Sequence, residues 1–103
     1  MSLWFQQQYV DPILNGTKTC TIRTHTRNVP AVGTECEFSV GPRTPFARAV
    51  IQSVVPVTAQ QLTDDVARAD GFANAAAMRD ELRRLYPSVR RFVLIRFAVI
   101  NDA

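Results

Sequence analysis

The chain has 103 residues, 47% hydrophobic and 20% charged, with a formal net charge of +3 and a pI near 9.4. That length fits one modest core, so a single domain over residues 1–103 is expected. The ordinary apolar fraction excludes a disordered or collagen-like chain, and no apolar stretch reaches the ~20 residues a membrane helix needs.

Within Gln6–Asn15, Tyr9, Val10, Ile13 and Leu14 stand at i, i+1, i+4 and i+5, a helical stripe that Gly16 can stop. Pro12 lies inside it, so the helix is expected to begin late, with Asp11 as cap and Pro12 at the first helical position. Thr17–Thr24 is rich in threonine and β-branched residues and reads as a strand. His25–Pro30 is polar and loop-like. Glu35–Val40 alternates as a half-buried strand does, and Gly41–Pro45 reads as a turn. Phe46–Val57 is a long β-rich run whose alternation breaks, which predicts a bend or bulge.

Thr63 can cap a helix whose first turn holds Asp64 and Asp65 and which Gly71 can end. Asn74 can cap another, with Ala75, Met78, Leu82 and Leu85 on its apolar stripe and Pro87 beyond its end. Arg91–Ile100 alternates Val93, Ile95, Phe97 and Val99 with other residues, as a central strand with one strongly apolar face does. This order of elements predicts an α+β fold, a small, partly open β-barrel flanked by two or three helices.

The N-terminus has neither a basic region nor an uninterrupted apolar one, so a soluble, cytoplasmic protein is expected. Cys20 and Cys36 have no metal-ligand spacing and read as two small buried thiols, the alternative being a regulatory disulfide; neither a metal nor a cofactor is expected. Of the twelve cations eleven are arginine. The single lysine, Lys18, is therefore a candidate for a task that needs an amine able to lose its proton. Arg79, Arg83 and Arg84 lie outside the apolar stripe of their helix, either as a solvated face with Asp80 paired to Arg84 or as a track for phosphates. Trp4, Phe5 and Tyr9 read as core, the alternative being a platform on which a base stacks. Asp70 stands out, because a carboxylate just before Gly71 faces the negative end of its helix. A local rule broken in this way marks a candidate functional residue, the alternative being a surface aspartate or a partner for Arg68.

Ile13-Leu14-Asn15-Gly16-Thr17-Lys18-Thr19-Cys20-Thr21-Ile22-Arg23, with Phe5 upstream, resembles the signature of the ASCH domain, a PUA-like β-barrel family. Val32-Gly33-Thr34, Leu62-Thr63-Asp64-Asp65 with Asp70-Gly71-Phe72, Tyr86-Pro87 and Val93–Phe97 fit the same family, so the resemblance spans nearly the whole chain. It implies recognition of RNA or a nucleotide. One branch of similar length consists of small bacterial amidohydrolases that remove the acetyl group from N4-acetylcytidine. There the motif's lysine, the second threonine after it and a downstream glutamate act together, which carries over to Lys18, Thr21 and Asp70. The acid here is aspartate, and its spacing to Tyr86-Pro87 is one residue longer. Gly71 competes for the alignment but has no side chain, so Asp70 takes the role.

On chemical grounds a partly desolvated, neutral Lys18 is expected to accept the Thr21 hydroxyl proton while Thr21 attacks the acyl carbonyl. Arg23 donates to the oxyanion and Asp70 orients Lys18 or positions water, with Thr19, Phe5 and His25 on the substrate side. One geometric condition applies. Lys18 and Thr21 are an odd number apart, so they converge only if Lys18 precedes the paired strand or the strand is bulged. Two alternatives stay open: a non-catalytic RNA-binding module with Arg23, Arg27, Arg79, Arg83 and Arg84 on phosphates, and a ribonuclease in which Lys18 acts on a 2′-hydroxyl.

Overall fold

The computed structural model describes residues 2–24 and 29–100. Five strands, β1 (Ser2–Trp4), β2 (Cys20–Arg23), β3 (Glu35–Ser39), β4 (Pro45–Thr58) and β5 (Arg91–Val99), form one sheet in the order β1-β3-β4-β5-β2. β1 pairs with β3 in parallel and the other pairs are antiparallel. Three helices accompany it: α1 (Val10–Leu14), α2 (Asp64–Ala69) and α3 (Ala75–Leu85). The architecture is α+β, as the order of elements predicts. Among the described residues, no helix is long and apolar enough to cross a membrane.

β4 explains its broken alternation. Ile51 faces Phe97 and Ser53 faces Arg96, so Gln52 is an extra residue. A second shift opposite Phe38 and Ser39 leaves Phe46 as another extra residue on the same strand. Each bulge bends the strand and adds twist, which lets a long strand curl with its neighbours. β5 has partners on both sides and buried residues on both faces. Val93, Ile95 and Phe97 join Leu3, Phe5, Ile13, Phe38 and Ile51 in one cluster. Phe38 is its centre, with the rings of Phe5 and Phe97 each 4.8 Å away. Phe92 joins Leu62, Ala67, Met78 and Leu82 in the second, under α2 and α3.

The ends of the helices differ from expectation in one place. Tyr9 rather than Asp11 is the N-cap of α1, and Pro12 is its third residue. That position is tolerated because the first-turn amides have no intrahelical partner. Gly16 stops the chain there at φ +84°, a conformation that suits glycine. The Thr63 hydroxyl accepts from the Val66 amide at 3.2 Å and the Asn74 carbonyl oxygen from the Ala77 amide at 2.9 Å. Asn74→Ala is expected to cost about 1 kcal/mol in urea unfolding and Asn74→Gly only a few tenths; equal losses would contradict the cap.

β1 was not foreseen, since three residues are too few for alternation to register. β2 starts at Cys20, not Thr17. Leu85, placed on the buried stripe of α3 by periodicity, is 48% exposed and is the last residue of the helix.

Candidate functional site

Before β2 the backbone is pinned three times. The amide of Thr17 donates to the Asn15 side chain at 2.9 Å, that of Lys18 to the Pro12 carbonyl at 2.9 Å, and that of Thr19 to the Ala69 carbonyl at 2.7 Å. Lys18 therefore lies in the turn ahead of the paired strand, which meets the geometric condition on its convergence with Thr21. Both line one cavity of about 390 Å³, together with Arg23 and Asp70.

Lys18 is 3% exposed. Its Nζ donates to the Cys20 carbonyl at 2.8 Å, to the Asp70 carbonyl at 3.1 Å and to Asp70 Oδ1. The ammonium's three protons thus have three acceptors, none of them on Thr21. The ring of Tyr9 lies 4.9 Å from the same nitrogen. This arrangement explains why a carboxylate sits at the C-cap of α2. Lys18 meets both the side chain and the carbonyl of Asp70, and so offsets two negative groups at the negative helix end. Arg68 pairs with Asp65 at 2.6 Å instead.

Burial pushes the Asp70 carboxyl above its ordinary range, and Lys18 and Arg23 pull against it. Burial also lowers Arg23 below the usual guanidinium value. Arg23 links β2 to β1, the two edges of the sheet. Its Nη2 donates to the Trp4 carbonyl at 2.9 Å, and its guanidinium lies 4.9 Å from the Phe5 ring centroid. Trp4, Phe5 and Arg23 all line the cavity.

The aromatic residues read as core divide. Phe5 is buried and also lines the cavity; Tyr9 is half-buried and lines it as well. Trp4 is 54% exposed at the cavity, where Leu85 and Tyr86 are exposed too. Sequence reasoning missed Leu85 and Tyr86 on this rim, since apolar residues signal burial; the sharpest available sign was their place immediately before Pro87, where a helix must end.

Thr19 is exposed and lies outside the cavity lining. His25 and Arg27 lie outside the described residues. The arginines of α3 separate. Arg79 donates to the Leu62 carbonyl at 3.0 Å, Arg83 pairs with Asp80, and Arg84 pairs with Glu81. The pairs run at i, i+3, not from Asp80 to Arg84 as expected, and of the three arginines Arg84 alone lines the cavity.

Cys20 and Cys36 are free and buried. Burial, aided by the charge of Asp70, pushes the Cys20 thiol up to about 11, and burial raises Cys36 as well. Because the thiolate is the nucleophile, neither cysteine is expected to react with an aromatic disulfide reagent at pH 8 until denaturant is added, when both do. Rapid reaction of the native protein would contradict this packing. Among the described residues, no group of three or more His, Cys, Asp or Glu side chains could hold a metal ion.

No protein-family model matches the sequence, and no curated protein does. Solved structures match its fold. The ASCH domain from Lactobacillus crispatus aligns with a TM-score of 0.77 at 19% identity, over 95% of this chain and 77% of that one. A protein from Enterococcus faecalis gives 0.75 at 18% identity, over 90% and 67%. ASCH from Zymomonas mobilis gives 0.71 at 15% identity, over 99% and 71%. The α+β fold is shared with these ASCH domains.

Proposed function

We propose that this chain is a member of the ASCH family whose cavity takes a pyrimidine nucleoside, free or in RNA, and hydrolyses the amide of N4-acylated cytidine. The observation that carries this reading is that Lys18, Thr21, Arg23 and Asp70, drawn from two distant segments, line one cavity. Its aromatic lining suits a base, and the cavity volume suits one nucleoside rather than a folded RNA.

In this reading Lys18 first passes a proton to Asp70, whose buried carboxyl is already pushed upward, and the pair becomes neutral. The free amine takes the Thr21 hydroxyl proton as Thr21 Oγ1 bonds to the acyl carbon. Arg23 donates to the resulting oxyanion. The carbon–N4 bond then breaks as the lysine returns its proton to N4, and cytidine leaves. Water, deprotonated by Lys18, attacks the acyl-threonine; the carboxylic acid departs and the proton returns to Thr21.

One observation favours a second reading, a non-catalytic RNA-binding site: all three Lys18 protons have acceptors, which suits a fixed charge, and Arg84 stands at the cavity for a phosphate. Incubation with N4-acetylcytidine at rising salt separates the two. Hydrolysis releases cytidine at a rate that salt scarcely alters. Phosphate binding gives no cytidine, and its affinity falls with a slope of about −0.7 per neutralised phosphate of a single strand.

A further inference from the structure

We infer that Glu81 and Arg84 form the pair that selects cytosine over uracil in this cavity. The inference rests on the nucleoside reading above and names the base edge that the cavity reads. α3 carries two ion pairs of the same spacing, Asp80–Arg83 and Glu81–Arg84. The second lines the cavity and the first does not. Their surroundings differ accordingly: the Asp80 side chain is 76% exposed and that of Glu81 35%.

The Glu81–Arg84 pair is a two-pronged one. Arg84 Nε donates to Glu81 Oε2 at 3.2 Å and Arg84 Nη2 donates to Oε1. Each carboxylate oxygen keeps a further lone pair, and three guanidinium protons are left over. In the reading above Lys18, Asp70 and Arg23 serve the acyl group: Lys18 and Asp70 hold each other, and Arg23 uses one donor on the Trp4 carbonyl and keeps others for the oxyanion. Glu81 and Arg84 are the other charged residues of the cavity lining, an acceptor and donors for a base edge.

Cytosine presents an N4–H donor beside the N3 and O2 acceptors. Acylation at N4 leaves one hydrogen there, so the donor survives in the substrate. The Glu81 carboxylate accepts that N4–H, and Arg84 donates to N3 or O2. Uracil places the O4 acceptor where N4–H would be, against an ionised carboxylate that has no proton to give. Selection thus includes rejection of the wrong base as well as attraction of the right one. The remaining rim, Leu85 and Tyr86 beside it, supplies apolar contact without discriminating the two pyrimidines.

The chain's one tryptophan, Trp4, lines the cavity and serves as a fluorescent reporter for titrations with cytidine and with uridine. The wild-type protein is expected to bind cytidine at least ~10-fold more tightly than uridine, the scale of one well-placed base contact. Glu81→Gln, whose amide can either accept or donate, brings the two within about twofold. Asp80→Asn removes an equal charge outside the cavity and keeps the wild-type preference. If Glu81→Gln retains that preference, or Asp80→Asn loses it equally, the assignment is overturned while the nucleoside reading stands. If the wild-type protein binds neither nucleoside, both fall.

Discussion

Lys18→Met is expected to destabilise the fold by about 3–5 kcal/mol, because it leaves Asp70 buried with its charge unpaired. Both partners are nearly inaccessible, at 3% and 6% exposure, so solvent does not screen the loss. The sign of its pH dependence follows from the direction in which Asp70 is shifted. Burial already raises that carboxyl, and removing Lys18 removes the largest opposing influence. A carboxyl whose folded value lies above its unfolded one, near 3.9, contributes stability that is full below that unfolded value. The contribution is lost as pH rises through the folded value. Guanidinium unfolding should therefore show Lys18→Met close to wild type at the acidic end and progressively weaker toward pH 8. Pairing it with Asp70→Leu should restore most of the stability, since an apolar replacement of a buried ion pair is often neutral. A loss that is the same at every pH, or one that the double variant deepens, would contradict this description of the pair.

Thr21→Val should abolish turnover while leaving the fold in place. The two side chains have nearly the same shape, and the residue pairs with Ile95 through its backbone, which the change does not touch. In the proposed hydrolysis that hydroxyl is the nucleophile, and loss of a nucleophile from a working unit costs roughly 10⁶-fold in turnover in a well-studied case. A fall of at least ~10³-fold in cytidine release is the expected result, with thermal unfolding shifted by only a few degrees. Thr21→Ser should keep measurable activity. A valine variant that still releases cytidine at the wild-type rate would remove Thr21 from the chemistry and leave water as the attacking group. The binding-only reading makes the opposite forecast, unchanged affinity for a single-stranded RNA.

The elements that were legible in the sequence are those with long periods or strong punctuation. The nine-residue β5 and the eleven-residue α3 each bury enough residues for alternation or helical spacing to register. Thr63, Asn74 and the glycines at 16 and 71 marked ends because capping and positive φ are local requirements. Asp70 was legible as an anomaly, and the structure supplies its compensation in a lysine 52 residues away, which no local rule could locate. Ser2–Trp4 is a strand through its parallel partner β3, a tertiary cause with no sequence period of its own. The cavity rim was hidden for another reason. Trp4, Leu85 and Tyr86 have core-like side chains but stand at chain positions that leave them exposed, Trp4 at the end of edge strand β1 and Leu85 and Tyr86 where α3 ends.

In the proposed function a buried amine, paired with Asp70, serves as the base for Thr21, and Lys18→Arg is the variant that removes this base while keeping its charge. Arginine keeps the positive charge and several donors for the Cys20 and Asp70 acceptors, so a folded variant is expected by circular dichroism. Its guanidinium does not give up a proton in proteins. Cytidine release from N4-acetylcytidine, followed by chromatography beside the wild-type protein, should then be absent from the arginine variant and present in the wild type. Equal release by both would contradict a base at position 18.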